Sequence, residues 1–349
     1  MIGERLKRAR AAAGLSMKAL ADQVGVSAPM IKKYESNASM PSSGVLIKLA
    51  RAVDVRSEYF FRPNRAELTG VEYRKRASTG KKELKRIEAD VLDQAERWYE
   101  LRDLWPNFPL ASFSQPSGLP QIESLDDIEQ VSAKLRKLWK LGLNPLPDLI
   151  DLLESKGILV IVTDSEHADK FDGLQATVQG QPIIVVSNAW PGCRQRFTLG
   201  HELGHLILHN QLPAEMDEEK ACNRFASSFL MPSESLIGQL GAKRRHIDWQ
   251  ELLLLKLEYG LSMSASLYRC RSLGIVSEAL WDRLWRDFSK RGWRKAEPGD
   301  DSYPKETTQL FNQLVYHAVA EDIISESKGA ELLKMPVAAF QRSRRLEDW

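Results

Sequence analysis

Apolar residues recur at three- and four-residue spacing along most of the chain, the rhythm of helices with one buried face. Ile87, Val91, Leu92, Ala95, Trp98 and Leu101 carry the longest run, which predicts a connecting helix ending near Leu104. Phe197, Leu199, Leu203, Leu206, Ile207 and Leu208 predict another, with Thr198 placed as an N-cap. In a third, Glu219, Cys222, Ala226 and Phe229 share a face and Pro232 supplies the stop. Near the start, residues 15–35 form two short helical segments with Gly25 at the turn and Ser16 and Ser27 as N-caps; Leu20, Ala21, Val26 and Ile31 point inward. Between these regions, residues 158–162 and 182–186 are short β-branched runs bounded by glycine and aspartate, and read as strands. Residues 173–178 are a candidate third. Such strands either offer an edge on which an extended peptide pairs or simply roof the core.

Beyond Leu273 the pattern is helical again, with Trp281, Trp285, Phe288 and Trp293 as a core aromatic series. Residues 107–118, rich in Pro, Ser and Phe, read as a linker. Ser325 to Phe340 has a faint helix–turn–helix outline around Met335-Pro336, too short to count as a second nucleic-acid reader.

Composition changes this picture in three ways. With 349 residues, 43% of them hydrophobic, the chain has material for two or more cores. Cys193, Cys222 and Cys270 are odd in number and widely spaced, which excludes a disulfide framework or a Cys-x-x-Cys site. Cys193 is either a reactive thiol near the helix predicted around residues 197–208 or, as we favour, a buried inert one. Net charge is only +2, yet the first 67 residues hold twelve Lys/Arg against six Asp/Glu, about +6, which suits a phosphate-backbone partner. A charged-then-apolar leader and a membrane-length apolar run are both lacking, so a cytoplasmic protein with no membrane partner is expected.

The sharpest chemistry lies in His201-Glu202-Leu203-Gly204-His205. Histidines four apart on a helix project one above the other and can hold one zinc ion, with the intervening Glu202 facing the same metal. Fourteen residues on, Glu219 heads an apolar stripe. A buried carboxylate without a counter-charge costs several kcal/mol, and a divalent cation removes that penalty. Two imidazoles and one carboxylate leave the fourth tetrahedral position open, as in catalytic zinc sites. Glu215, Asp217 and Glu218 are rivals at or before the helix start, where acids also serve the helix dipole.

Arg196 to Gly200 running into that helix, Glu219, Asn223 to Ala226 and Leu230-Met231-Pro232 resemble the ImmA/IrrE family of zinc metallo-endopeptidases. The resemblance extends to Trp139–Pro147, Asp172-Gly173-Leu174, residues 261–264, Tyr268-Arg269 and Leu273-Gly274. Cys222 departs from the alanine usual there. The resemblance implies a gluzincin-like peptidase with one catalytic Zn2+ on His201, His205 and Glu219. In it Glu202 serves as base and then acid, and Tyr268 and Arg269 are oxyanion candidates. Residues 15–35 are similar to the XRE-type helix-turn-helix of phage repressors, with residues 2–12 and 43–53 as flanking helices. That likeness implies a structural Arg10–Glu35 ion pair and a major-groove face of Ser27, Ala28, Pro29, Lys32, Lys33 and Ser36. Met17 stands where glutamine is common, which weakens one contact.

We therefore expect a mainly α chain with a small β-sheet. Its parts are an all-α helix-turn-helix domain at 1–67, a helical connector and linker at 68–121, an α+β zincin-like peptidase domain at 122–275 and a helical C-terminal region at 276–349. The expected function is a DNA-binding transcriptional regulator, of the stress-response or toxin–antitoxin kind. Its peptidase relieves repression by cleaving a repressor or antitoxin, in trans or in cis. Its partners are a double-stranded operator, that protein substrate and a second copy in a homodimer. The alternative is a non-catalytic repressor or antitoxin whose peptidase-like domain senses a ligand, peptide or metal.

Overall fold

The computed structural model describes residues 2–62, 68–75, 81–163, 171–300 and 302–347. The first unit packs helices α1 (Ile2–Ala12), α2 (Met17–Val24), α3 (Ala28–Glu35) and α4 (Ser43–Ala52), followed by a 3-10 turn at Ser57–Phe61. Ser16 caps α2 by accepting from the Ala19 N–H, and Gly25 ends it in the left-handed region at φ 78°, where a Cβ would be strained. Ser27 occupies the N-cap of α3 with extended backbone, but its hydroxyl makes no cap bond. Leu6, Leu20, Ile31 and Leu49 are fully buried between these helices.

A strand, β1 (Leu68–Lys75), precedes the long helix α5 (Lys81–Leu104). The strand is an element that the reading of 68–121 as a helical connector and linker did not include. Its glycine and charges mask it as a sequence pattern, which is common for strands at a sheet edge. Residues 76–80, between β1 and α5, lie outside the described residues. Then come α6 (Asp127–Leu138), α7 (Leu149–Ser155), β2 (Leu159–Thr163), β3 (Phe171–Val178) and β4 (Gln181–Ser187). The four strands form one sheet in the order β1-β3-β4-β2; β2 and β4 are parallel, and β3 is antiparallel to both β4 and β1. The β3–β4 hairpin turns on Gln179 (φ 49°) and Gly180 (φ 77°), the two positive φ values a type I′ turn needs.

Alternation along the strands explains their unbroken apolar character. Leu159, Ile161, Leu174, Ala176, Ile183 and Val185 meet Ile87, Val91, Ala95 and Tyr99 of α5 on one face. Val160, Ile184 and Val186 enter the main core on the other. That core is completed by α8 (Gly192–Leu208), α9 (Glu218–Leu230), α10 (Ser233–Leu240), α11 (Trp249–Tyr259), α12 (Met263–Ser272) and α13 (Glu278–Lys290). Trp281 and Trp285 stack at 5.2 Å and Trp285 and Phe288 at 5.5 Å within it.

The last unit, α14 (Leu310–Ala320), α15 (Glu326–Leu332) and α16 (Val337–Arg344), buries Leu314, Val315, Ala318, Leu332 and Phe340 with Leu101 of α5 and Trp105 just beyond its end. Helix α5 also binds the first unit, because its buried Glu96 pairs with Arg5 and, at 2.9 Å, with Arg8 of α1. One helix thus touches all three bodies.

Candidate metal centre and nucleic-acid interface

Helix α8 begins at Gly192 behind Pro191, six residues before the N-cap expected from sequence, and Thr198 is a buried interior residue. The extra turns place Arg196 in the core. Its guanidinium pairs with Glu306 and donates to Leu146 O at 2.7 Å, while Glu306 accepts the N–H groups of Leu149 and Ile150. This buried network ties the start of α8 to α7.

Two glycines bring α9 against the ligand-bearing part of α8. A Cβ at Gly200 would lie 3.4 Å from Ala226, and one at Gly204 would lie 3.1 Å from the Cys222 Cα. Small residues on both helices therefore set the spacing, and the Cys222 thiol is small enough to keep it.

Across that contact, the His201 and His205 Nε2 atoms lie 3.1 Å apart. The Glu219 carboxylate sits 3.4 Å from the first and 3.5 Å from the second. On the far side of each ring, His201 Nδ1 meets Asn223 Oδ1 and His205 Nδ1 meets Glu218 Oε1, both at 3.0 Å. A carboxylate or amide oxygen accepts, so each Nδ1 donates and each Nε2 presents a lone pair. Two lone pairs and a carboxylate converging over about 3 Å repel one another unless a cation lies between them, so the donor set fits a zinc ion. His205, Glu218 and Cys222 form a second, overlapping group of converging donors.

Glu202 is 1% exposed on the same helix, beneath β3; a Cβ at Gly173 would come within 3.7 Å of its Oε1. Glycine is required here because the same Cβ would meet Thr198 Cγ2 and Val185 O at 2.7 Å, so its absence lets β3 close onto α8 beside the carboxylate.

Glu219 stands beside both rings, but the burial argument for it does not apply, since its side chain is 67% exposed at the mouth of the site. Of the rival acids, Asp217 caps α9 by accepting from the Lys220 N–H, and Glu218 supports His205. Sequence reasoning named Glu218 only as a rival ligand and Asn223 only within a family-like segment, and missed the orienting role of both. The available signal was their position on the Glu219 turn of α9.

Tyr268 and Arg269 are not at the centre. Arg269 is buried, donates to Met231 O at 2.5 Å and forms a two-pronged pair with Glu129 at 2.7 and 2.8 Å. Met231 follows the last turn of α9, roughly 18 Å along the helix from the turn that carries Glu219. Tyr268 is half exposed and packs on Trp281 and Trp285. Their assignment as oxyanion groups is corrected to packing and structural pairing. Cys193 is buried and its thiol is pushed up to about 11 by that burial, which makes it inert.

On the first unit, Met17, Ser27, Pro29, Lys32, Lys33 and Ser36 are exposed and Ala28 is half-buried. Arg10 grips Glu35 through two bonds of 2.5 and 3.0 Å, fixing α1 to the end of α3. Residues 6–60 match the family model described as helix-turn-helix, and residues 153–271 match that of the IrrE N-terminal-like domain. The chain fuses these two domains. The second match spans His201, Glu202, His205 and Glu219, and the first spans α2 and α3. The fusion makes the chain a DNA-binding regulator carrying a metallopeptidase-like domain. No curated protein matches the chain. Among the described residues no helix is long and apolar enough to cross a membrane.

Proposed function

We propose that this chain is a cytoplasmic transcriptional regulator whose zinc-dependent endopeptidase relieves repression by cutting a repressor or antitoxin. The observation that carries this reading is the convergence of His201, His205 and Glu219 beside a buried Glu202. Zinc bound there would supply Lewis acidity to a substrate carbonyl and acidity to water. Glu202 takes the proton of the attacking water and passes it to the departing amine; one water is consumed as the C–N bond breaks. Glu218 and Asn223 hold the imidazoles in the tautomer that keeps each Nε2 free for the metal.

A structural detail favours cleavage in cis. The β3 strand that covers Glu202 at Gly173 is not a bare edge, because Tyr73, Arg74 and Lys75 pair with Leu174, Gly173 and Phe171. The chain's own main chain, just beyond the helix-turn-helix unit, therefore occupies the place where an extended peptide would pair. Scission in this stretch would separate the DNA-binding unit from the rest. The DNA-binding unit is expected to work as a homodimer on two half-sites.

The test incubates zinc-loaded wild type and Glu202→Ala, alone and with the products of neighbouring genes. We expect wild type to release an N-terminal fragment or cut one neighbour, and Glu202→Ala to do neither. Equal cutting by Glu202→Ala refutes the role of that residue. A metal-loaded wild type that cuts nothing yet shifts its operator affinity supports a non-catalytic sensor instead.

A further inference from the structure

The fold repeats one motif at its two ends. Ser16 and Ser325 each cap a helix, their hydroxyls accepting from the N–H three residues on, Ala19 and Lys328. At the same offset, buried Leu20 and Ala21 correspond to buried Gly329 and Ala330. The turns also correspond. Gly25 at φ 78° matches Lys334 at φ 55°, and the bond from Val26 N–H to Ala21 O at 3.1 Å matches that from Met335 N–H to Ala330 O at 2.9 Å. The second helices begin alike, Ile31 N–H donating to Ser27 O at 3.2 Å and Phe340 N–H to Pro336 O at 3.0 Å; Ile31 and Phe340 are both fully buried.

The offset that aligns caps, turns and core also aligns the outer faces. Pro29, Lys32, Lys33 and Ser36 of α3 correspond to Ala338, Gln341, Arg342 and Arg345 of α16 and its end. Ala338, Arg342 and Arg345 are exposed, while Gln341 is half-buried and donates to Glu326 at 2.8 Å. Arg345 lies 3.6 Å from exposed Glu347, a solvent-screened contact that a phosphate can replace. Arginine forks suit guanine edges and phosphates better than the lysines of α3.

We infer that α15 and α16 form a second helix-turn-helix, with α16 reading the same duplex as α3. The inference extends the DNA-binding reading of the first motif. Its occupant is double-stranded DNA because the exposed face is cationic and the motif is docked onto the first unit. Arg56, just after α4, donates to Met335 O at 3.1 Å in the second turn, and Arg62 pairs with Glu331. Units of this size are roughly 25 Å across, so a duplex of about two turns is long enough to reach both helices.

The test uses the full-length zinc-loaded protein and a mixed-sequence duplex of about four helical turns, with affinity followed by anisotropy between about 50 and 200 mM salt. Compared are wild type, Arg342→Ala/Arg345→Ala, Lys32→Ala/Lys33→Ala, and Arg283→Ala/Arg286→Ala, which removes the same charge from the exposed face of α13. We expect the first two variants each to lower the slope of log affinity against log salt by about two, and the α13 control to leave it unchanged. A wild-type slope in Arg342→Ala/Arg345→Ala, with the slope lowered in Lys32→Ala/Lys33→Ala, overturns this inference and leaves the first motif standing. Equal losses in the α13 control overturn it as a bulk-charge effect. A wild type that binds no duplex overturns both readings.

Discussion

Removing the groups behind the two imidazoles should weaken metal binding unequally, and burial sets the order. Glu218→Ala deletes the acceptor 3.0 Å from His205 Nδ1, and Asn223→Ala deletes the one 3.0 Å from His201 Nδ1. Loss of such a partner costs about 10- to 100-fold in metal affinity, because the ring is freed to rotate or to place its proton on the ligating nitrogen. The Glu218 side chain is 52% exposed, so water replaces much of what is lost and the effect belongs at the low end, about tenfold or ~1.4 kcal/mol. His201 is 0% exposed, so water replaces little of what its Nδ1–H loses. Asn223→Ala therefore belongs at the high end, about 100-fold or ~2.7 kcal/mol. Competition of metal-free protein against a chromogenic zinc chelator reads both values. Wild-type affinity in both variants, or a larger loss for Glu218→Ala, refutes the assigned tautomers.

Two further perturbations test the scaffold. Gly204→Val puts a branched side chain where even a Cβ lies 3.1 Å from the Cys222 backbone. It should cost about 1–3 kcal/mol and also weaken zinc binding by moving α9; a variant with wild-type melting and affinity contradicts the close-contact account. Burial pushes the Glu154 carboxyl from its ordinary 4.5 up to about 8, so the folded state holds a proton that the unfolded chain has released. The stabilisation is complete below the ordinary carboxylate range and is lost as pH rises through about 8, by at most a few kcal/mol. Glu154→Gln should flatten the denaturation midpoint between those limits, whereas curves parallel to wild type argue against a buried proton.

Local spacing made the site half legible. The His201 and His205 pair is encoded within little more than one helical turn, and α2, α3, β2, β3 and β4 follow from period and turn residues. Glu219 was reachable for a reason the fold does not support, since its carboxylate is exposed; packing through Gly200 and Gly204 places it there. Glu218 and Asn223 become meaningful only once α9 lies on α8. Arg269 shows the opposite error. An arginine in a family-like segment after the ligands looks catalytic, yet its partner Glu129 lies 140 positions away and claims it for the core. β1 escaped notice because its pairing with β3 crosses a long stretch of chain and its own residues lack an apolar run.

X-ray absorption at the zinc edge, on purified full-length protein carrying one metal per chain, tests the central claim most directly. Coordination by His201, His205 and Glu219 predicts a shell of nitrogen and oxygen alone, at about 2.0–2.2 Å, with imidazole scattering that disappears in His201→Ala/His205→Ala. A sulfur at about 2.3 Å would place the metal on His205, Glu218 and Cys222 instead, and protein that takes up no zinc would remove the peptidase reading altogether.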